Sequence, residues 1–172
     1  LEREITQKIC PLQVTAWQVP GEPVSFAEAT AASYQPFPPG TWWGAPWSTW
    51  WLHVTGTLPA SHVDEEIDLS MDLGFVGDWA GNQAEAMVYT PAGRPLKALN
   101  PRNHRIGLNH GALAARFAAQ GEPLIGADGD VELWVEAAGN PDMTQHLAEP
   151  TELGDRHTAG HEPLWQFLSL IH

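Results

Sequence analysis

The chain has 172 residues, a length that fits one domain. Apolar residues make up 43% of it and charged residues 17%, a globular composition that excludes a disordered protein. Its net charge of −13, from 21 acidic and 8 basic residues, repels phosphate backbones and anionic membranes, and so excludes nucleic acid and lipid as expected partners.

Cysteine usage and the lack of targeting patterns favour a cytoplasmic location. Cys10 is the only cysteine, so no internal disulfide can form. No apolar stretch approaches the roughly 18 residues of a membrane span, and no signal-peptide pattern opens the sequence. Because the sequence starts at Leu1 rather than at methionine, either its beginning was processed or is disordered, or the chain is a piece of a longer protein.

Residues 1–11 are predicted to hold a short N-terminal helix. Leu1, Ile5 and Ile9 recur at i+4 spacing and form one narrow apolar stripe, which Pro11 ends. Such a short helix is marginal alone and needs a surface to pack against.

Alternation between apolar and polar residues predicts most of the remaining structure. Strands are predicted at residues 12–16, 50–58, 67–73, 84–89, 105–108 and 131–137. The proline-rich residues 35–40 are extended and unsuited to a sheet interior. Short helices are predicted at residues 26–32 and at 111–120, the second closed by Gly121. The apolar residues 164–171 are predicted to be helical as well.

Short alternating strands with long turns and few helices predict an all-β fold, a β-sandwich of jelly-roll type with short peripheral helices. We expect the sandwich to occupy residues 12–145. Residues 146–172 form a polar tail followed by the apolar C-terminal segment.

Two histidine clusters offer metal-ligand spacing without making a metal site. His62 and Asp64 have His-x-Asp spacing, but two ligands do not make a site, and polar residues are expected in that loop. His157 and His161 are at i+4 spacing, but flanking glycines weaken a helix there and no third ligand is adjacent. We therefore assign no catalytic and no metal-ligating residue in this chain.

Tryptophan is the unusual feature of the composition, with nine in the chain. Aromatic faces can stack on sugar rings, and large apolar side chains can equally fill a sandwich core or a domain interface. Alternation favours the core for Trp50. Trp42, Trp43 and Trp47 lie in a predicted loop and are the candidates for a carbohydrate or interdomain contact surface.

Several segments, taken in order, resemble the N-terminal β-domain of glycoside hydrolase family 38 α-mannosidases of the cytosolic and vacuolar type. They are WGAPWSTWW at 43–51, HVTGTLP at 53–59, DLGF at 72–75, QAEAMVY at 83–89, GRPLKALNPR at 93–102 and VEAAGNP at 135–141. The family usually has glycine where Ala86 stands and alanine where Gly139 stands, and residues 111–120 look like an insertion.

The resemblance implies a jelly-roll domain, similar to galactose-binding folds, from the front of an α-mannosidase. In that family, a later α/β domain removes α-linked mannose with an aspartate nucleophile and a divalent metal, usually zinc. That domain opens with a motif like H-x-D-x-x-W. Here His62 and Asp64 are not followed by tryptophan at the matching place, so metal ligation is not transferred to them.

The resemblance also implies the partners. We expect this domain to pack on the catalytic domain, help wall the substrate cleft and mediate contacts within a homo-oligomer, meeting mannose-containing glycans through the parent enzyme. Residues 163–171 then look like the start of the connection to that missing domain. The alternative is a carbohydrate-binding module that uses the loop tryptophans as a stacking platform.

Overall fold

A computed structural model of the chain describes residues 9, 12–62, 64–75, 77, 84–141, 159 and 161–171. The strands within these residues are β1 (Gln13–Gln18), β2 (Gln35–Pro36), β3 (Trp42–Trp43), β4 (Ser48–Thr57), β5 (Asp68–Asp72), β6 (Glu85–Tyr89), β7 (Pro95–Leu99), β8 (Arg105–Gly107), β9 (Asp130–Gly139), β10 (Trp165–Gln166) and β11 (Leu168–Ile171). The helices are α1 (Phe26–Thr30) and α2 (Gly111–Ala119), with a 3-10 turn at Ala60–His62.

The strands form two layers and a connecting ribbon. A six-stranded antiparallel sheet has the order β2-β1-β4-β9-β6-β7, and a three-stranded sheet has the order β11-β5-β8. Strands β3 and β10 pair as a separate two-stranded ribbon. The proline-containing β2 lies at the edge of the larger sheet, where a missing N–H costs no central ladder bond.

The core lies between the two sheets, because one face of each is apolar. Its buried residues include Val14, Leu52, Val54, Leu133 and Val135 from the larger sheet and Leu69, Met71 and Ile106 from the smaller one. Sheets packed face to face in this way make a β-sandwich. The all-β, jelly-roll prediction is confirmed.

The outer face of the larger sheet is also partly covered, in this case by α1. Ser25 caps this helix through a capping box with Glu28. Phe26 lies edge-on to Trp51 and Trp134, with ring centroids 5.8 and 6.2 Å away. A second apolar cluster therefore lies on the face that alternation alone marks as the more polar one.

The observed elements agree with most predicted ones within a few residues. One prediction is wrong: residues 164–171 are not helical. Trp165 and Gln166 pair with β3, and residues 168–171 pair with β5. The sandwich therefore includes strands beyond the predicted boundary at residue 145.

Some predictions fall outside the described residues. These are the helix at 1–8 with Cys10 and Pro11, most of the polar tail at 142–158, and His157. Among the described residues, no helix is long and apolar enough to cross a membrane.

Candidate functional site

Trp42 and Trp43 are neighbours on β3, and their side chains point to opposite sides of the ribbon that β3 forms with β10. Trp43 is 1% exposed, and its Nε1 donates to the Leu73 carbonyl oxygen at 3.0 Å. Trp43, one of the three contact candidates, therefore faces the core, because side chains alternate along a strand. Trp42 points the other way and is 58% exposed.

Trp42 belongs to an exposed patch that continues across the ribbon. It lies opposite Gln166, which is also exposed, and Leu168, two residues further along, is 47% exposed. Leu168 itself begins β11 and pairs with Asp72 of β5, directly after the ribbon ends. We call Trp42, Gln166 and Leu168 the ribbon patch.

Backbone pairing on both sides of Phe167 holds the ribbon patch in place. The Gly40 N–H donates to the Phe167 carbonyl at 2.7 Å, and the Phe167 N–H donates to the Thr41 carbonyl at 3.0 Å. The Gln166 side-chain amide donates to the Gly40 carbonyl at 3.1 Å. Beneath the patch, Trp165 and Phe167 are buried, so the exposed side chains stand on a packed base.

Trp47 occupies a different place, the third position of a tight turn. The Ser48 N–H donates to the Ala45 carbonyl at 3.0 Å, which closes a four-residue turn around Pro46 and Trp47. Trp47 has φ +61°, and it is the one non-glycine residue with positive φ in the part of the chain that is described. Proline second and positive φ third are the features of a type II turn, whose third position normally takes glycine.

Trp47 lines an open groove of about 430 Å³. The other walls are the end of β1 with the loop that follows, residues 18–21, together with Ala45, Pro46, Ser48 and His161. We call this space the Trp47 groove. Trp47 itself is 44% exposed. The three predicted contact tryptophans are thus in three settings: the ribbon patch, the core and the Trp47 groove.

The titratable groups on the outer face of the larger sheet belong to a packed aromatic cluster. The Tyr89 hydroxyl donates to Glu136 Oε2 at 3.0 Å, and burial, then this bond and the carboxylate charge, raise the pKa of Tyr89 to about 12. Burial likewise raises the pKa of Tyr34 to about 12. The His53 ring stacks on Trp134 with centroids 4.0 Å apart and bonds Glu132 at 2.8 Å. These groups build an aromatic layer under α1.

The histidines considered as metal ligands are not brought together. His62 Nδ1 lies 3.0 Å from Glu65 Oε2, and Asp64 is exposed beside it. His161 is exposed in the Trp47 groove. Over the described ranges, no three His, Cys, Asp or Glu side chains converge as a metal ion would require.

Sequence reasoning missed the polar and C-terminal members of both surfaces. Gln166 and Leu168 lie in the segment predicted as helix. The alternation of buried Trp165 and Phe167 with exposed Gln166 is the signal for a strand, but the exposed Leu168 breaks the polar half of that pattern. Gln18 and His161 are 143 positions apart, and no local pattern could join them.

The sequence model of the family described as "Alpha-mannosidase, jelly roll domain" matches residues 10–166, which is most of the chain. A search among curated proteins found no significant match.

Proposed function

The chain belongs to the family of α-mannosidase jelly-roll domains, and we propose that it is a non-catalytic domain that packs on the catalytic domain of an α-mannosidase through the ribbon patch. The parent enzyme would hydrolyse α-linked mannose. This domain would pack on the catalytic domain and form part of the wall of the substrate cleft. The observation that carries the proposal is the exposure of two large apolar side chains, Trp42 and Leu168, beside the buried Trp165 and Phe167.

The composition of the ribbon patch suits a protein interface. Single exposed apolar residues are ordinary on a protein surface, but contiguous ones mark contact sites. Tryptophan is enriched among the residues that contribute most to binding, since it removes a large area from water at low entropic cost. Gln166 lies opposite Trp42 and is exposed, and its side-chain oxygen can accept a hydrogen bond across the contact.

The base beneath the ribbon patch favours a preformed contact. Trp43, Trp165 and Phe167 are each at most 4% exposed, and Phe167 packs on Phe37 with centroids 5.0 Å apart. A partner that docks there need not order the backbone first, which reduces the entropic cost of association. We propose the catalytic domain as the partner that covers the ribbon patch, because the family is described as the jelly-roll domain of α-mannosidases.

The metal expected in the parent enzyme is not assigned to this chain. His62, considered as a ligand, pairs instead with Glu65 on the surface. We propose that zinc, or another divalent ion, is held by the catalytic domain, and no step of the chemistry is assigned to residues here.

Docking is tested by calorimetric titration of the chain into the α-mannosidase catalytic domain encoded with it. The test variant carries Trp42→Thr and Leu168→Thr, because threonine keeps strand propensity while removing the apolar surface. We expect binding at least about 30-fold weaker, as for the loss of interface residues of high energetic weight. Trp47→Asn is the matched control and should bind as the unaltered chain does.

Two results would overturn the proposal. Equal affinity of the double variant and the unaltered chain would remove the ribbon patch from the interface. Hydrolysis of an aryl α-mannoside by the purified chain alone, surviving chelation and repeated purification, would show that the chain is itself catalytic.

A further inference from the structure

We propose that the Trp47 groove binds one neutral hexopyranose ring, which stacks on the Trp47 indole and receives hydrogen bonds from Gln18 and His161. This site lies apart from the ribbon patch and does not depend on the docking role proposed above. It would give the domain a glycan contact of its own.

The first support is the backbone at Trp47. A bulky residue at φ +61° is a steric outlier, and left-handed conformations cost residues other than glycine free energy. Glycine or asparagine would fit this turn without that cost. The chain instead places there its largest aromatic side chain, partly open to solvent. Strain of this kind concentrates at functional sites, so the side chain is the feature that the turn presents.

The second support is how firmly the turn is held. The Trp47 N–H donates to the Gly139 carbonyl at 2.7 Å, which fastens the turn to the end of β9. Gly139 and Gly44 approach so closely that a Cβ on Gly139 would lie 2.8 Å from the Gly44 Cα. The indole therefore projects from a fixed backbone, as a stacking platform requires.

The third support is the charge of the lining. Among the described residues that line the Trp47 groove, there is no carboxylate, lysine or arginine, although the whole chain carries a net charge of −13. Apart from the His161 imidazole, these described residues offer no ionisable side chain to pair with an ionic ligand. It suits a neutral ligand with an apolar face and several hydroxyls, which describes a hexopyranose.

The polar groups divide into those that build the site and those that can meet a ligand. The Ser48 hydroxyl donates to the Ala45 carbonyl at 2.6 Å and accepts from Trp50 Nε1 at 3.2 Å, so it stabilises the turn. Gln18 and His161 are exposed on the groove walls. An amide and an imidazole can both donate and accept, as sugar hydroxyls need.

The size of the groove agrees with this ligand class. Small-molecule sites enclose about 300–1,000 Å³, and the Trp47 groove has about 430 Å³. Because the groove is open as far as the described residues define it, a bound ring could carry further sugar units. The end of a glycan chain is therefore a suitable ligand.

The test is a titration of the whole chain with methyl α-D-mannopyranoside, followed through the indole Nε1–H signals in nuclear magnetic resonance spectra. We expect a saturable shift of the Trp47 signal in the millimolar range, with the Trp42 signal unchanged. Trp47→Asn should weaken binding at least about tenfold, the equivalent of one aromatic stacking contact. Gln18→Ala and His161→Ala should each weaken it severalfold. Trp42→Thr, the matched control, should bind as the unaltered chain does.

An unmoved Trp47 signal at saturating probe would overturn the proposal, and so would a shift that Trp47→Asn leaves intact. If Trp47→Asn does not fold, the signal assigned in the unaltered chain and the two polar variants still decide the result. Failure here leaves catalytic-domain binding unaffected, and loss of catalytic-domain binding in the ribbon-patch variant leaves sugar binding unaffected. The two proposals can therefore fail separately.

Discussion

Gly44 lies so close to Trp165 that a Cβ on the glycine would come within 2.6 Å of the indole Cδ1. The same glycine has φ +73°. This contact joins the turn that carries Trp47 to the strand that carries Gln166, so the Trp47 groove and the ribbon share one structural support.

We expect Gly44→Ala to lower the free energy of unfolding by about 2–4 kcal/mol, because it adds a steric clash to the cost of a left-handed alanine. Gly121→Ala is the control. Gly121 has φ +79° at the end of α2, but a Cβ there would meet nothing within 4 Å. It should cost only the backbone part, about 1 kcal/mol. Urea unfolding of both variants measures the difference, and equal losses would contradict the close approach.

Substitution by phenylalanine should separate the adjacent tryptophans. Trp43→Phe loses the hydrogen bond to the Leu73 carbonyl and leaves a void in the core, so we expect a loss of about 2 kcal/mol in the free energy of unfolding. Trp42→Phe changes an exposed side chain and should stay within about 0.5 kcal/mol. If the two losses were similar, or reversed, the assignment of one tryptophan to the core and the other to the surface would be wrong.

Backbone strain at Trp47 can be measured without any ligand. Asparagine tolerates positive φ better than alanine does, and both remove the indole. We expect the free energy of unfolding of Trp47→Asn to exceed that of Trp47→Ala by about 1 kcal/mol. Equal stability would show that the turn relaxes away from positive φ once tryptophan is removed.

The two tyrosines should lose their protons at a higher pH than an ordinary tyrosine does. Tyr34 and Tyr89 are the only tyrosines in the chain, and the pKa of each is raised to about 12 from 10.0. Below pH about 10, both are protonated whether the chain is folded or not. Between pH about 10 and 12, the unfolded chain loses these protons while the folded chain keeps them, so folding stability falls as pH rises through this window.

Ultraviolet absorbance of tyrosinate follows both groups directly. Glu136→Gln should lower the pKa of Tyr89 only in part, because burial is its largest cause and remains. An ordinary titration near pH 10 in the folded protein would contradict the buried setting of both side chains.

Period-two alternation was enough to predict the sandwich. Residues 67–73 bury every second side chain, residues 131–137 do the same apart from Trp134 on the opposite face, and the alternation placed both strands correctly. The helix predicted at 164–171 failed because Leu168 is exposed and apolar. Its presence after buried Phe167 hides the alternation that pairing with β5 imposes.

The candidate site could be predicted only as a region. Sequence singled out the tryptophans at 42, 43 and 47, but two adjacent tryptophans on a strand give no sign of which one faces the core. The register of β3 with β10 decides that, and it depends on residues more than 120 positions away. The unusual φ of Trp47 is likewise set by tertiary bonds, since alanine-proline-tryptophan-serine is compatible with several turns.

The docking of the ribbon patch on the catalytic domain is tested most directly by hydroxyl-radical footprinting, with the chain free and bound to the α-mannosidase catalytic domain. Trp42 and Leu168 are exposed in the free chain, so both should be oxidised there. On binding, we expect their oxidation to fall severalfold while that of Trp47 stays the same. Unchanged oxidation of Trp42 and Leu168 in a complex shown to have formed would contradict docking through the ribbon patch.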